Sequence, residues 1–137
     1  MSGTDVATIN GKTCKLEGGN CKHRNVIYLF QCTICNICYV GKTDQPLHKR
    51  VNGHRNCGEL DGLEVITDFQ ALQYHASVTH KADFDRIYKV SIIKNVNCPN
   101  NLLHWEQVYV DKFNTQVPFG LNIENPLGIR VTRLSTR

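Results

Sequence analysis

Two phenols, two cations, an imidazole and a carboxylate recur along this chain at spacings that suit hydrolysis of a phosphodiester. Tyr28 lies in Val26-Ile27-Tyr28-Leu29-Phe30 and Tyr39 in Tyr39-Val40-Gly41-Lys42; Arg50 and His54 follow four residues apart, and Glu106 comes much later. Cleavage by water needs a base, a positive group on the phosphate, and a cation to carry charge developing on the leaving oxygen. A phenol can hold or pass a proton, Lys42 and Arg50 can bind phosphate oxygens, and Glu106 offers a hard oxygen to Mg²⁺ or Mn²⁺. The spacings alone do not decide for catalysis, because strand tyrosines commonly pack and helical arginines commonly face solvent.

A second set of residues suits a metal. Cys32-Thr33-Ile34-Cys35 is a CxxC knuckle, and His75 with His80 follows about forty residues later. Together they form a Cys₂His₂ set of the kind that binds tetrahedral Zn²⁺. The competing reading makes the thiols small buried apolar groups and the histidines surface residues. Cys38 competes as a ligand, but as the strand neighbour of Tyr39 it points to the opposite face and is assigned to packing. Cys14 and Cys21, with His23 nearby, flank a Gly-rich stretch and read as free loop thiols; Cys57 and Cys98 read as isolated thiols.

These residues need elements to position them. Residues 26–31 and 37–41 are rich in β-branched and aromatic side chains, which predicts a hairpin turning at residues 32–36 and sets the tyrosines on neighbouring strands. Asp44 as cap and Pro46 in the first turn predict a helix ending near Asn56-Cys57-Gly58, with Arg50 and His54 on one face. Residues 68–78 suit a second short helix, 84–93 a strand, and 101–113 a longer amphipathic helix that Trp105 anchors in the core. Residues 1–24, Gly-rich and polar, read as a flexible segment before the folded body.

The chain's length of 137 residues suits one domain with its own core. Its formal charge of +4 favours polyanionic partners without itself implying nucleic acid. No apolar run has transmembrane length and no signal-peptide pattern opens the sequence, so no membrane partner and no secretion are expected. Seven cysteines, three crowded at positions 32, 35 and 38, point to reduced thiols in a cytoplasmic or nuclear compartment.

The hairpin with Tyr28 in one strand and Tyr39-Val40-Gly41 in the next resembles the GIY-YIG endonuclease family. Arg50 and His54 on the following helix, Glu106 on a later one and the turn Gly120-Leu121-Asn122 extend the resemblance over residues 25–123. Val26 departs from the family's Gly and Val40 from its Ile; neither change removes a functional side chain. A CxxC between the tyrosine motifs and two later histidines place the chain nearest the Penelope-like retroelement type, whose inserted CCHH zinc motif matches Cys32, Cys35, His75 and His80.

The resemblance implies an α/β (α+β) fold, a small three-stranded antiparallel sheet flanked by helices, with residues 124–137 as a basic tail bearing Arg130, Arg133 and Arg137. It implies hydrolysis of DNA at a catalytic set of Tyr28, Tyr39, Arg50, His54 and Glu106. Tyr28 would be the base, with Tyr39 positioning the phosphate or sharing the proton; the tyrosine roles are exchangeable. Arg50 would bind the scissile phosphate, His54 would orient Tyr28 or take its proton, and Glu106 would hold catalytic Mg²⁺ or Mn²⁺. Lys42, Lys49, Arg55 and Asn122 would meet DNA, Asn122 chiefly by supporting geometry, and Zn²⁺ would be structural. Double-strand cleavage by a homodimer and nicking both remain open, as does the presence of a reverse transcriptase partner. The rival from another class is a catalytically inactive, zinc-stabilised nucleic-acid-binding module.

Overall fold

The computed structural model of the chain describes residues 6–9 and 11–131. Its centre is strand β3 (Val26–Cys32), paired antiparallel with β4 (Cys38–Thr43) on one side and β6 (Tyr88–Asn95) on the other. This mixed α and β class, built on a three-stranded antiparallel sheet with helices, agrees with the sequence expectation. β3 reads as a nearly unbroken apolar run because both of its faces are covered. Val26, Tyr28, Phe30 and Cys32 enter one core cluster, and Ile27 and Leu29 enter the other.

The first face is covered by α1 (Leu47–Arg55) and by a helical run further along the chain. That run opens as a 3₁₀ turn at Asp68–Gln70, continues as α2 (Ala71–Tyr74) and widens to a π turn at His75–Thr79. The second face is covered by α4 (Leu102–Phe113), which buries Leu102, Val110 and Phe113. Asp44 does not cap α1. Pro46 directly precedes the helix, and Thr43 Oγ1 accepts the Gln45 N–H at 3.0 Å instead.

Two expectations are corrected by local chemistry. The strand expected from residue 84 begins four residues later, because the Asp83 carboxylate accepts the Asp85 N–H at 3.2 Å and starts a helical turn, α3 (Phe84–Ile87). Phe84 and Ile87, three apart, then both bury their side chains. Residues 6–24, expected to precede the folded body, supply β1 (Val6–Ile9) and β2 (Lys12–Lys15), an antiparallel hairpin. Ile9, Cys14 and Leu16 pack into the cluster formed by Ile27, Leu29 and Phe113. The chain that follows donates Glu17 N–H and Gly18 N–H to Ile93 and Ile92 carbonyls, covering part of the outer edge of β6.

The opposite edge, on β4, is closed by the turn after α4. Leu121 N–H donates to the Cys38 carbonyl at 2.9 Å, and the Asn122 side-chain amide takes over from there. Its Oδ1 accepts from Val40 N–H at 2.9 Å and its Nδ2 donates to Val40 C=O at 2.7 Å, so it pairs with the strand as a peptide group would. Gly120 is required in this turn because a Cβ there would overlap the Thr115 carbonyl. Of the expected tail, β7 (Ile129–Arg130) pairs with β5 (Val65–Ile66), while Arg133 and Arg137 lie outside the described residues.

Candidate active site and metal-ligand cluster

Register places the two tyrosines. Tyr28 is opposite Gly41 and Phe30 is opposite Tyr39, so the phenols are diagonal neighbours on the α1 face, with ring centroids 6.4 Å apart. Gly41 gives Tyr28 its place, since a Cβ at Gly41 would overlap the phenol ring. Each hydroxyl has its own proton acceptor. Tyr28 Oη lies 2.7 Å from His54 Nε2, and Tyr39 Oη donates to Asp68 Oδ2 at 2.7 Å.

The direction of the first bond follows from the other side of the imidazole. His54 Nδ1 lies 3.2 Å from the Phe69 carbonyl, which can only accept, so Nδ1 carries the proton and Nε2 is a lone-pair acceptor for the Tyr28 hydroxyl. Burial keeps the ring neutral, lowering its pKa from 6.5 to about 4, with the Arg50 charge acting in the same direction against the Phe69 carbonyl. Phe69 stacks on His54 with centroids 4.7 Å apart, and the Arg50 guanidinium lies over the Phe69 ring at 4.9 Å. Arg50 Nε then reaches Tyr28 Oη at 3.4 Å. Burial raises the Tyr28 pKa, and Arg50 is the group that pulls it back; Tyr39 is raised as well, by burial first and then by the charges of Tyr28 and Asp68.

The carboxylates approach from two other elements. Glu106 projects from α4, with Lys42 Nζ 3.5 Å from its Oε1. Burial raises the Glu106 pKa, Lys42 opposes that, and the nearby Asp68 charge adds to it. Asp68 stands at the start of the 3₁₀ turn, its Oδ1 accepting the Ile123 N–H at 2.8 Å, and its pKa is raised by burial against the pull of its hydrogen bonds. Sequence reasoning missed Asp68 and Phe69. Their one sequence signal was the capping pattern of Thr67 and Gln70, which marks a helix start and gives no hint of chemistry.

The basic residues separate into two places. Lys42, Lys49 and Arg50 line one cleft of about 470 Å³ together with Thr43, Phe69 and Leu103. Arg55 lines a different cavity and is engaged by Asp85 at 2.7 Å. Asn122 is buried, its amide spent on Val40 and Thr115, which leaves it the supporting part of its expected role and no surface for DNA.

Away from the phenols, Cys32, Cys35, His75 and His80 come together with ligand atoms all within 4.8 Å of one another. Cys32 ends β3, and Asn36, in the left-handed conformation at φ 66°, lets the knuckle turn back so that Asn36 N–H meets the Cys32 carbonyl at 2.8 Å. His75 opens the π turn and His80 closes it. Cys35 Sγ is 3.3 Å from His75 Nε2, and the two histidine Nε2 atoms are 3.0 Å apart. Neighbouring donors around tetrahedral zinc, with bonds of about 2.0–2.3 Å, lie roughly 3.3–3.8 Å apart, so this set can close on one ion with small adjustments. Cys38 stays outside the cluster, buried on the opposite face of the sheet, with burial and the neighbouring thiols pushing its pKa up to about 12. Cys14, expected in a loop, is buried on β2, whereas Cys21 and Cys98 are exposed.

Compared with protein-family models, with characterised proteins and with solved structures, the chain matches none. No helix among the described residues is long and apolar enough to cross a membrane.

Proposed function

We propose that this chain is a metal-assisted DNA endonuclease of GIY-YIG type, with a structural zinc held by Cys32, Cys35, His75 and His80. The observation that carries the reading is the Tyr28 hydroxyl, held between a neutral imidazole that can take its proton and a guanidinium that favours its ionised form. As water attacks phosphorus, its proton passes to the Tyr28 oxygen while the phenolic proton passes to His54 Nε2. Arg50, lining the cleft with Lys42 and Lys49, binds the phosphate. Glu106, a half-buried carboxylate beside Lys42, would hold Mg²⁺ or Mn²⁺, which when bound would supply positive charge for the developing leaving oxygen. The zinc set is closed by four protein ligands and leaves no position for substrate, which makes its role structural.

A second reading, the inactive nucleic-acid-binding module, is favoured by the burial of both phenols, Tyr28 at 0% and Tyr39 at 1% exposure. Nicking of supercoiled plasmid in Mg²⁺ or Mn²⁺ separates the two. The expected result is metal-dependent nicking that falls by roughly 10²–10⁴ in Tyr28→Phe, with a comparable loss in Glu106→Ala, both variants remaining folded. Binding without cleavage by the zinc-loaded wild type on duplex, branched and single-stranded DNA would leave the module reading standing instead.

A further inference from the structure

Asp68 stands outside the ordered motif set, yet it meets the Tyr39 hydroxyl as His54 meets that of Tyr28. Its placement is fixed from three sides. Oδ2 accepts from Tyr39, Oδ1 accepts from Ile123 N–H, and the turn it opens is held by the Thr67 N–H donating to the Gln70 side-chain oxygen and the Gln70 N–H donating to the Thr67 carbonyl, both at 3.0 Å. Ile123 follows Asn122, whose amide grips Val40, the neighbour of Tyr39, so the carboxylate closes a ring of bonds around that phenol.

A hydroxyl whose one proton is committed has only lone pairs left to offer. We propose that Asp68 is a positioning residue for strand cleavage: it locks Tyr39 as a hydrogen-bond acceptor, so that Tyr39 takes a proton donor, the attacking water, and not the phosphate. A phosphate diester carries acceptor oxygens alone and cannot bond to Tyr39 held this way, whereas a water molecule can donate to it and keep its own lone pair for phosphorus. The tyrosines then divide the work, Tyr28 in proton transfer with His54 and Tyr39 in aiming the nucleophile. This rests on the nuclease reading above.

Asp68→Asn tests it with little change of shape. The Asn oxygen satisfies Ile123 N–H, its NH₂ then faces the Tyr39 oxygen, and the hydroxyl must turn its proton outward. Expected is a kcat for plasmid nicking lowered roughly 10–100-fold with KM within about twofold of wild type, as for a misaimed nucleophile. Tyr39→Phe should lose a similar factor, and the double variant should be no more than about threefold worse than Tyr39→Phe, because both changes remove one device. Wild-type nicking with D68N equally fast, or with the two losses multiplying in full, overturns the role of Asp68 alone. Failure of the wild type to nick overturns the nuclease reading and this role with it. Proton NMR of the wild type supplies a readout apart from cleavage and needs no variant. A Tyr39 hydroxyl resonance protected from exchange is expected, and a hydroxyl exchanging as a free phenol does overturns the proposal.

Discussion

His54 shows how burial turns an ordinary side chain into a proton acceptor. In solution an imidazole is partly protonated near pH 6.5, but here desolvation lowers its pKa to about 4, so the ring meets Tyr28 uncharged at neutral pH. A depressed pKa also ties stability to pH. The unfolded chain binds a proton at His54 below about pH 6.5 that the folded chain refuses until about pH 4. Stability from this group is therefore complete above pH 6.5 and is lost as pH falls towards 4, by an amount of order 3 kcal/mol. Asp68 and Glu106, raised by burial, shift in the opposite sense, so the effect is best read as a difference between two proteins that share them. Urea unfolding of wild type and His54→Gln at pH 7.5 and pH 4.5 is expected to show a wild-type advantage at the higher pH that shrinks by a few kcal/mol at the lower. An advantage independent of pH would mean that His54 is not held neutral. The pairing of Tyr28 with His54 was expected from the family resemblance, whereas spacing alone placed Arg50 and His54 on one helix face without saying what that face meets. Asp68 was not expected, because an aspartate after Thr67 reads as a residue at a helix start wherever the turn happens to pack.

Among the elements, the helical run from Asp68 to Thr79 links the two sites. Its first turn supplies the Asp68 carboxylate and the Phe69 carbonyl and ring, and its last supplies His75, with His80 closing the π turn. A run of a dozen residues is marginal as an isolated helix, so its position comes from what grips its ends and buries its inner face. Ala71, Leu72 and Tyr74 bury that face, and Gln73 donates to the Arg55 carbonyl at 2.8 Å. At its far end Ala76 is buried in the core and the His75 ring lies against Tyr88 of β6, and a zinc ion held with the Cys32 and Cys35 knuckle would add a further tie to the sheet. The helix was legible as a short run over residues 68–78, and the CxxC suggested zinc, but the π turn was not foreseen, since the wider turn has no periodicity of its own. One Zn²⁺ per chain is expected by elemental analysis. Chelation should lower unfolding free energy by about 4 kcal/mol relative to protein at zinc a thousandfold above Kd, with recovery on adding Zn²⁺ but not Mg²⁺. Cys35→Ser should weaken zinc binding and the stability response together. A chelated wild type as stable as the untreated protein would show that the knuckle and π turn are held without metal.

At the scale of the whole molecule, β3, β4, α1, the run from Asp68, β6 and α4 could be read in order from β-branched and aromatic runs and from apolar residues at helical spacing, whereas the short β5, α3 and β7 could not. Nor could the opening hairpin. Four-residue strands with Gly11 at their turn, two buried side chains between them and polar neighbours give too short a pattern to separate from loop. Yet Ile9 and Leu16, at 2% and 5% exposure, belong to the core over Leu29 and Ile93, and the residues after them cover an open edge of β6. Burying side chains of this size contributes roughly 1.5–3 kcal/mol each, against a total stability of about 5–15 kcal/mol for a domain. Starting the chain at Asn25, where the sequence alone draws the boundary, therefore removes several kcal/mol and exposes apolar surface beside unpaired strand groups. Denaturant titration and size-exclusion chromatography of the 25–137 fragment beside the full chain make the comparison. The fragment is expected to unfold at a clearly lower denaturant midpoint and to elute partly as larger species, with the Tyr28, His54 and Asp68 geometry impaired although none of those residues is removed. A fragment as stable and as monodisperse as the full chain would make the hairpin an ornament of the fold and put its boundary back at Asn25.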